Sequence, residues 1–421
     1  MPLPPPGTLL NHPKFSSWYP GQEEAFSSIV SWLHDPSKRF LCASMPTGSG
    51  KSILGVLASV IGAKRMAFLT VTKGLQTQLN SDFQQVGMVD IRGQNSYRCN
   101  LVDEQEITVD EGPCHAGITC ALKESGCRYY DGLRDAIDST MLVTNYSYYL
   151  AQNTYGGGLS RKTSDPNPIQ LLVCDEAHLA FSALETYMAV FISRNDVEAL
   201  GKHFPSNPKD WYEWQRWARV LLPDVVEEHK RAKEEAQRHQ TAASFKKVKH
   251  YRYMERKVST LADSQGSWIW DDKKYGFQFT PVWPGQYSKA LFRAPKILVM
   301  SATLSPKTAD SLNIPEGDRT WLEMPSYFPP SNSPFAHVKA VRMDYKSISA
   351  APESINTWAA RIDQIISRRQ DRKGIVFTVS YDRRNFLLAN SQHAGIMYAH
   401  GADDVFQVVE EFKRAKAPAV L

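Results

Sequence analysis

One octapeptide constrains this chain more than any other feature: Met45-Pro46-Thr47-Gly48-Ser49-Gly50-Lys51-Ser52. It follows an apolar run, Phe40–Ser44, and opens a helix-like stretch, Ser52–Ile61. Strand, glycine-rich turn and helix in that order are the context a phosphate-binding loop requires. Gly48 and Gly50 let the backbone curl so that its N–H groups face inward at phosphate oxygens. The helix start adds its positive end. Lys51 stands where a lysine pairs with β- and γ-phosphates, and Ser52 where a hydroxyl ligates Mg²⁺. Pro46, Thr47 and Ser49 complete the loop, which predicts ATP and Mg²⁺ as ligands. Met45 occupies the place of the usual first glycine.

A second pair of residues supports that reading. Asp175 and Glu176 end the apolar run Leu171–Cys174. A carboxylate at the tip of a buried strand is costly without a partner. Mg²⁺ is the natural partner: Asp175 is assigned to the ion, through water, and Glu176 to polarising an attacking water. A helix N-cap is the other reading of an isolated Asp there; the loop upstream weighs against it. Ser301-Ala302-Thr303 follows a further apolar run, Ile297–Met300. Its hydroxyls can hydrogen-bond to the Asp175–His178 segment, so His178, Ser301 and Thr303 are assigned to coupling.

Six apolar runs read as buried strands: Phe40–Ser44, Met66–Val71, Met141–Thr144, Leu171–Cys174, Ile297–Met300 and Ile375–Val379. Helix-like stretches such as Ser52–Ile61 and Leu75–Phe83 alternate with them. Such alternation predicts the α/β class, with a doubly wound parallel sheet covered on both faces. A chain of 421 residues exceeds one ordinary core and predicts two or three domains. The alternation breaks twice, over 93–133 and 193–266, which read as insertions into a first α/β domain made of 1–92, 134–192 and 267–325. In the second insertion, helical stretches are expected around Trp211–Leu222 and Asp224–Ala262. The Pro-rich Met324–Pro334 reads as a linker. A second α/β domain then spans 331–421, with a helix over Glu353–Arg369 and a strand over Gly374–Thr378. The closing Ala417–Leu421 reads as a strand beginning. No run of about 18 apolar residues occurs, and the Pro-rich first residues lack the regions of a signal peptide. An intracellular protein, cytoplasmic or nucleoid-associated and not membrane-bound, is expected.

A formal net charge of +5 says little about partners, but its distribution says more. Basic residues concentrate in Lys230–Lys257, either as a solvated helix face or as a surface that tracks phosphates. Phe245, Tyr251 and Tyr253 are interleaved there; they read as stacking platforms or as core. Of six cysteines, Cys42 and Cys174 sit in apolar runs and read as small core residues. Cys99, Cys114, Cys120 and Cys127 fall in one window with little apolar periodicity. His115, beside Cys114, reads as a surface histidine.

The phosphate loop, Asp175-Glu176-Ala177-His178 and Ser301-Ala302-Thr303-Leu304 together resemble superfamily 2 helicases. Tyr19-Pro20-Gly21-Gln22, Thr70–Leu79 and Thr144-Asn145-Tyr146 resemble further elements of the XPD/DinG-like iron–sulfur branch. The resemblance implies two RecA-like motor lobes, ATP-driven 5′→3′ movement on single-stranded DNA, and unwinding of duplex junctions by a monomer. It assigns Gln22 to the adenine edge, and Thr72 and Lys73 to the DNA backbone. It assigns Cys99, Cys114, Cys120 and Cys127 to a [4Fe–4S] cluster, for which thiolates are suitable ligands. Zinc is the competing metal, though the window has none of the close Cys-x₂₋₄-Cys pairs that zinc sites show. Residues 193–266 stand where the branch carries its Arch domain, with the single strand passing between Arch, cluster domain and motor.

The chain departs from the branch in one respect. The late Gln-x-x-Gly-Arg-x-x-Arg motif, whose arginine stabilises the transferring phosphoryl group, is absent. A second lobe of roughly 90 residues is also short. The expectation is a truncated chain or half of a split enzyme. A non-catalytic module that binds ATP and single strands, or an RNA-directed ATPase, are the alternatives.

Overall fold

The computed structural model describes residues 3–62, 64–105, 107–156, 158–159, 168–206, 208–332, 334–401 and 404–421. The chain divides into two compact units, Met1–Phe328 and Pro329–Leu421.

The first unit is organised by a sheet of seven parallel strands. In chain order its members are β1 (Phe40–Ser44), β2 (Met66–Thr70), β3 (Met88–Asp90), β4 (Met141–Asn145), β5 (Leu171–Cys174), β9 (Lys296–Ser301) and β10 (Arg319–Glu323). A separate antiparallel sheet takes β6 (Val190–Ser193), β7 (Trp268–Lys273) and β8 (Gly276–Pro281). The large sheet runs β10-β1-β9-β5-β2-β4-β3. Successive side chains of each central strand serve different cores, as a period of two demands. Phe40, Cys42, Ala67, Leu69, Leu172 and Cys174 face one, while Leu41, Ala43, Met66, Phe68, Leu171 and Val173 face the other. Continuous apolar strands were the sign of this arrangement. The edge strands β3 and β10 carry Asp90, Arg319 and Glu323 and gave no such sign.

Helix Lys51–Ile61 lies close on the sheet: a Cβ on Gly55 would stand 3.0 Å from both the Phe68 and the Val173 side chains. Segment 93–133 is built of short 3₁₀ turns before helix Arg128–Asp138. It is tied by Cys99 N–H to the Ile107 carbonyl and Val109 N–H to the Tyr97 carbonyl, both at 2.9 Å.

The second inserted segment is a hairpin of two long helices, Trp211–His239 and Ala242–Ala262. The break expected at Pro223 does not occur; the helix runs through it. A proline inside a helix costs about 3 kcal/mol, and burial of Trp214, Ala218, Leu221 and Val225 on either side outweighs that. The chain turns instead at Gln240, where Thr241 and Ser244 exchange hydrogen bonds in a capping box. Strands β6, β8 and β7 bracket the hairpin and share its core. Trp214 packs between Phe277 and Phe279, with ring centroids 4.9 and 4.8 Å away.

In the second unit, helices Tyr345–Ala350, Ser354–Ser367, Tyr381–Asn390 and Val405–Arg414 accompany one short parallel pairing, β11 (Lys373–Gly374) with β12 (Ala419–Val420). The strand expected over Gly374–Thr378 stops at Gly374. Val376 N–H still reaches the Leu421 carbonyl at 2.8 Å, but Phe377 and Val379 beyond it are exposed. Among the described residues, no helix is long and apolar enough to cross a membrane.

Candidate active site

The phosphate loop leaves the end of β1, between β9 and the edge strand β10. Met45 N–H donates to the Ser301 carbonyl at 2.9 Å, and the Met45 side chain is fully buried in a core. The position faces inward, which explains why no glycine is required there. Gly48 and Gly50 adopt φ of 83° and 72°, the left-handed region that side chains disfavour. A Cβ on Gly50 would also stand 2.5 Å from Gln22 Nε2.

Gln22 is buried and fully engaged. Its Nε2 donates to the Ser49 and Gly50 carbonyls, both at 3.2 Å, and its Oε1 accepts from Tyr19 N–H at 3.0 Å. The amide assigned to an adenine edge is thus a brace beneath the loop. Contact with a base would require these bonds to exchange.

Lys51 Nζ lies 2.5 Å from Glu176 Oε1 and 4.0 Å from Asp175 Oδ1. Asp175 follows β5 and is only 5% exposed, with Oδ1 lacking a hydrogen-bond partner among the described residues. Burial pushes its carboxyl up to about 6, against the pull of Lys51. An orphaned carboxylate oxygen beside a phosphate loop suits a hard cation such as Mg²⁺. Its backbone is held from both sides: Asp175 N–H donates to the Leu69 carbonyl at 3.0 Å, and the buried Tyr146 hydroxyl donates to the Asp175 carbonyl at 2.8 Å. Glu176 sits at φ 48°, ψ 43°, a strained conformation for a residue with a Cβ.

His178 Nδ1 stands 2.7 Å from Ser301 Oγ and 3.4 Å from Glu176 Oε2. Thr303 joins through its backbone, donating N–H to Ser301 Oγ at 3.2 Å. The residues assigned to coupling therefore meet across β5 and β9. Ser52, Lys51, Asp175, Glu176 and Gln22 line one cavity of about 580 Å³. Sequence reasoning missed two neighbours of the loop itself. The Tyr327 hydroxyl donates to the Gly48 carbonyl at 3.4 Å, and a Cβ on Gly48 would meet the Phe328 ring at 3.0 Å. Two adjacent aromatics within a Pro-rich stretch were the available sign.

A second cleft, of about 610 Å³, opens where the large sheet, the cysteine segment and the helical hairpin meet. Lys73 lines it on one side; Tyr155, Arg252, Tyr253 and Arg256 line it on another. Thr72 caps helix Lys73–Phe83, its hydroxyl accepting from Leu75 N–H at 3.2 Å. Arg252 gives one Nη2 bond to the Asp110 carbonyl at 2.8 Å, while its buried Nε and Nη1 have no hydrogen-bond partner among the described residues. The Arg256 guanidinium lies 4.5 Å from the Tyr155 ring centroid.

Several basic-run residues serve the fold instead. Lys249 pairs with Asp110 at 2.8 Å and Glu111 at 3.0 Å, joining hairpin to cysteine segment. Phe245, one of the candidate stacking platforms, is core: it is buried with Cys99, Ile107 and Ala116. Tyr251 is half-buried, and Tyr253 alone of the three is exposed. His115 is not a surface residue. It is half-buried against Gln94 Oε1 at 2.9 Å, and burial, with Arg252 nearby, pulls its pKa down to about 3.

Cys99 is buried and Cys114, Cys120 and Cys127 are half-buried. Cys99 and Cys114 Sγ both lie within 3.6 Å of the point a Cβ on Gly112 would occupy. Burial pushes both thiols up, and charge on Cys120 and Cys127 pushes them further, so all four are electrostatic neighbours. The Tyr130 hydroxyl donates to Cys114 Sγ at 3.9 Å. Among the described residues, no group of three or more His, Cys, Asp or Glu is arranged to hold a metal ion.

Residues 15–201 match a family model described as the res subunit of type III restriction enzymes. No curated protein matches the sequence. Among solved structures, an XPD helicase is 14% identical with a TM-score of 0.58, over 96% of this chain and 80% of that one. Xpd4 of S. tokodaii is 14% identical with a TM-score of 0.51, over 96% of this chain and 80% of that one. An apo XPD structure is also 14% identical with a TM-score of 0.51, over 94% and 77%. At such identity the likeness shows the fold, an α/β architecture with a large parallel sheet of the XPD type.

Proposed function

We propose that the protein is an ATP-dependent motor of the superfamily 2 helicase type, in its iron–sulfur branch, that moves 5′→3′ along single-stranded DNA and unwinds duplex. The observation that carries this reading is the chain Lys51–Glu176–His178–Ser301 beside the orphaned Asp175 oxygen. Arriving β- and γ-phosphates replace Glu176 as the partner of Lys51. Ser52 and Asp175 would hold Mg²⁺, which neutralises charge on the transferring phosphoryl group. Glu176, released, orients water toward the γ-phosphorus; the bond to the bridging oxygen breaks and ADP and phosphate leave. Because Glu176 also faces His178, and His178 faces Ser301, the change at phosphate reaches the next strand of the sheet.

The second cleft fits the strand. Lys73 and the Thr72 turn, with Arg252 and Arg256 opposite, offer phosphate contacts, and Tyr155 and Tyr253 offer faces for bases. Cys99, Cys114, Cys120 and Cys127 suit a [4Fe–4S] cluster, which supplies a structural tie to a segment made of short turns. A four-iron body is larger than one ion, so its sulfurs need not converge on one point as zinc ligands do.

Phosphate release with and without single-stranded DNA, for wild type and Lys51→Ala, tests the reading. DNA-stimulated release that Lys51→Ala abolishes supports it. Binding of ATP and DNA without release would instead make the chain a non-catalytic module. Stimulation by RNA and not by DNA of one sequence would reassign the substrate.

A further inference from the structure

A further cavity, of about 470 Å³, lies on the helical hairpin beyond the cleft, bounded by Phe191, Asp196, Lys246, His250, Tyr253 and Lys257 among others. Tyr253 belongs to both cavities and forms their common wall. Lys246, His250, Tyr253 and Lys257 recur at intervals of three and four, so they share one face of helix Ala242–Ala262. That face spans about 16 Å along the helix axis.

The charges of this cavity are not internally balanced. His250 pairs with Asp196 at 3.3 Å, and Lys249 is held by Asp110 and Glu111. Lys246 is exposed and Lys257 half-buried, and among the described residues neither has a carboxylate at ion-pair distance. Burial pulls the Lys257 ammonium below its ordinary range, with Asp196 opposing. Asp196 is shared with His250, so a partly desolvated ammonium with no carboxylate in direct contact is relieved by an incoming anion. Tyr253 is exposed and Phe191 half-buried, so aromatic faces alternate with the cations.

We infer that this cavity is a second binding site for the same nucleic-acid strand, taking two backbone phosphates at Lys246 and Lys257 after the strand passes Tyr253. This rests on the cleft being the strand-binding site. An acidic protein segment would satisfy the lysines but would have no use for stacking faces contiguous with the cleft.

The test is fluorescence anisotropy of the full chain with single-stranded oligonucleotides of graded length, over a range of salt. Lys246→Ala/Lys257→Ala is expected to bind the shortest oligonucleotides as wild type does and to lose affinity for longer ones. For those, the slope of log affinity against log salt should fall in magnitude by about 1.4, or 0.7 for each phosphate no longer neutralised. Lys246→Glu, on an exposed residue, should show the same length dependence without disturbing the fold. Arg256→Ala, in the cleft, should weaken every length. If Arg256→Ala weakens binding while the lysine variants change neither affinity nor slope at any length, this inference is overturned and the cleft stands. If none of the three changes binding, the cleft reading fails and this one with it.

Discussion

The Lys51 ammonium rests 2.5 Å from a carboxylate oxygen of Glu176, a residue whose backbone lies in the left-handed region. Without nucleotide, the residue assigned to water activation is thus tied to the residue assigned to phosphate. Glu176→Gln keeps the shape and removes the charge. It should bind ATP at least as tightly as wild type, since it frees Lys51, while turnover falls about 100-fold or more. Equilibrium binding and single-turnover hydrolysis separate the two effects. Turnover within a few-fold of wild type would remove Glu176 from the chemistry.

Asp175 makes stability depend on pH. Its folded-state pKa is raised to about 6 from 3.8. Between those values the folded protein holds a proton that the unfolded chain has lost. Stability from this group is therefore present below about pH 4 and lost as pH rises through about 6, a change on the order of 3 kcal/mol. Asp175→Asn should stabilise the nucleotide-free protein at pH 7.5, leave it nearly unchanged at pH 4, and abolish hydrolysis. Urea unfolding at the two pH values measures this, and an equal effect at both would refute the assignment.

Gln22 braces the loop through three hydrogen bonds made without nucleotide. Gln22→Ala should cost about 1–3 kcal/mol of stability in the empty protein, because it leaves buried carbonyls unpaired. A residue whose sole task was to read adenine would leave the empty protein's melting temperature unchanged. Thermal unfolding with and without ATP distinguishes these.

The cysteine segment is predicted to carry about four irons per chain after anaerobic purification, with broad visible absorption. Replacing any one of Cys99, Cys114, Cys120 or Cys127 by Ser should lower iron content and loosen the segment, detected as protease cleavage within 93–133. Zinc at one ion per chain, with no iron, would reassign the site.

The sequence revealed most where chemistry and burial impose strict local rules. β1 and β5 were read at their true ends because a fully buried strand admits only apolar residues, and Asp175-Glu176 was conspicuous because charge at such a tip needs a purpose. Where tertiary packing outweighs local preference, the sequence misled. Pro223 signals a break, but the Trp214 core holds the helix through it. Phe245 alternates with lysines as a stacking residue would, yet it faces Cys99 and Ile107, contacts made more than a hundred residues away. Tyr327 and Phe328 lie over Gly48 for the same long-range reason. Ile375–Val379 has the composition of a strand, but among the described residues its pairing with the Ala419–Leu421 segment goes no further than Val376.

The strand order β1-β9-β5 has a consequence for how the chain is wired. The three loops assigned to the nucleotide leave adjacent strands, although the chain between them carries the cysteine segment and the hairpin as excursions. Neither excursion contributes a strand to the pairings β1–β9 and β9–β5, so a change in the length of either leaves that register unaltered. The segments proposed to grip the strand therefore hang from the sheet as side branches, while the residues proposed to meet the nucleotide are fixed relative to one another by the hydrogen bonds of that single sheet.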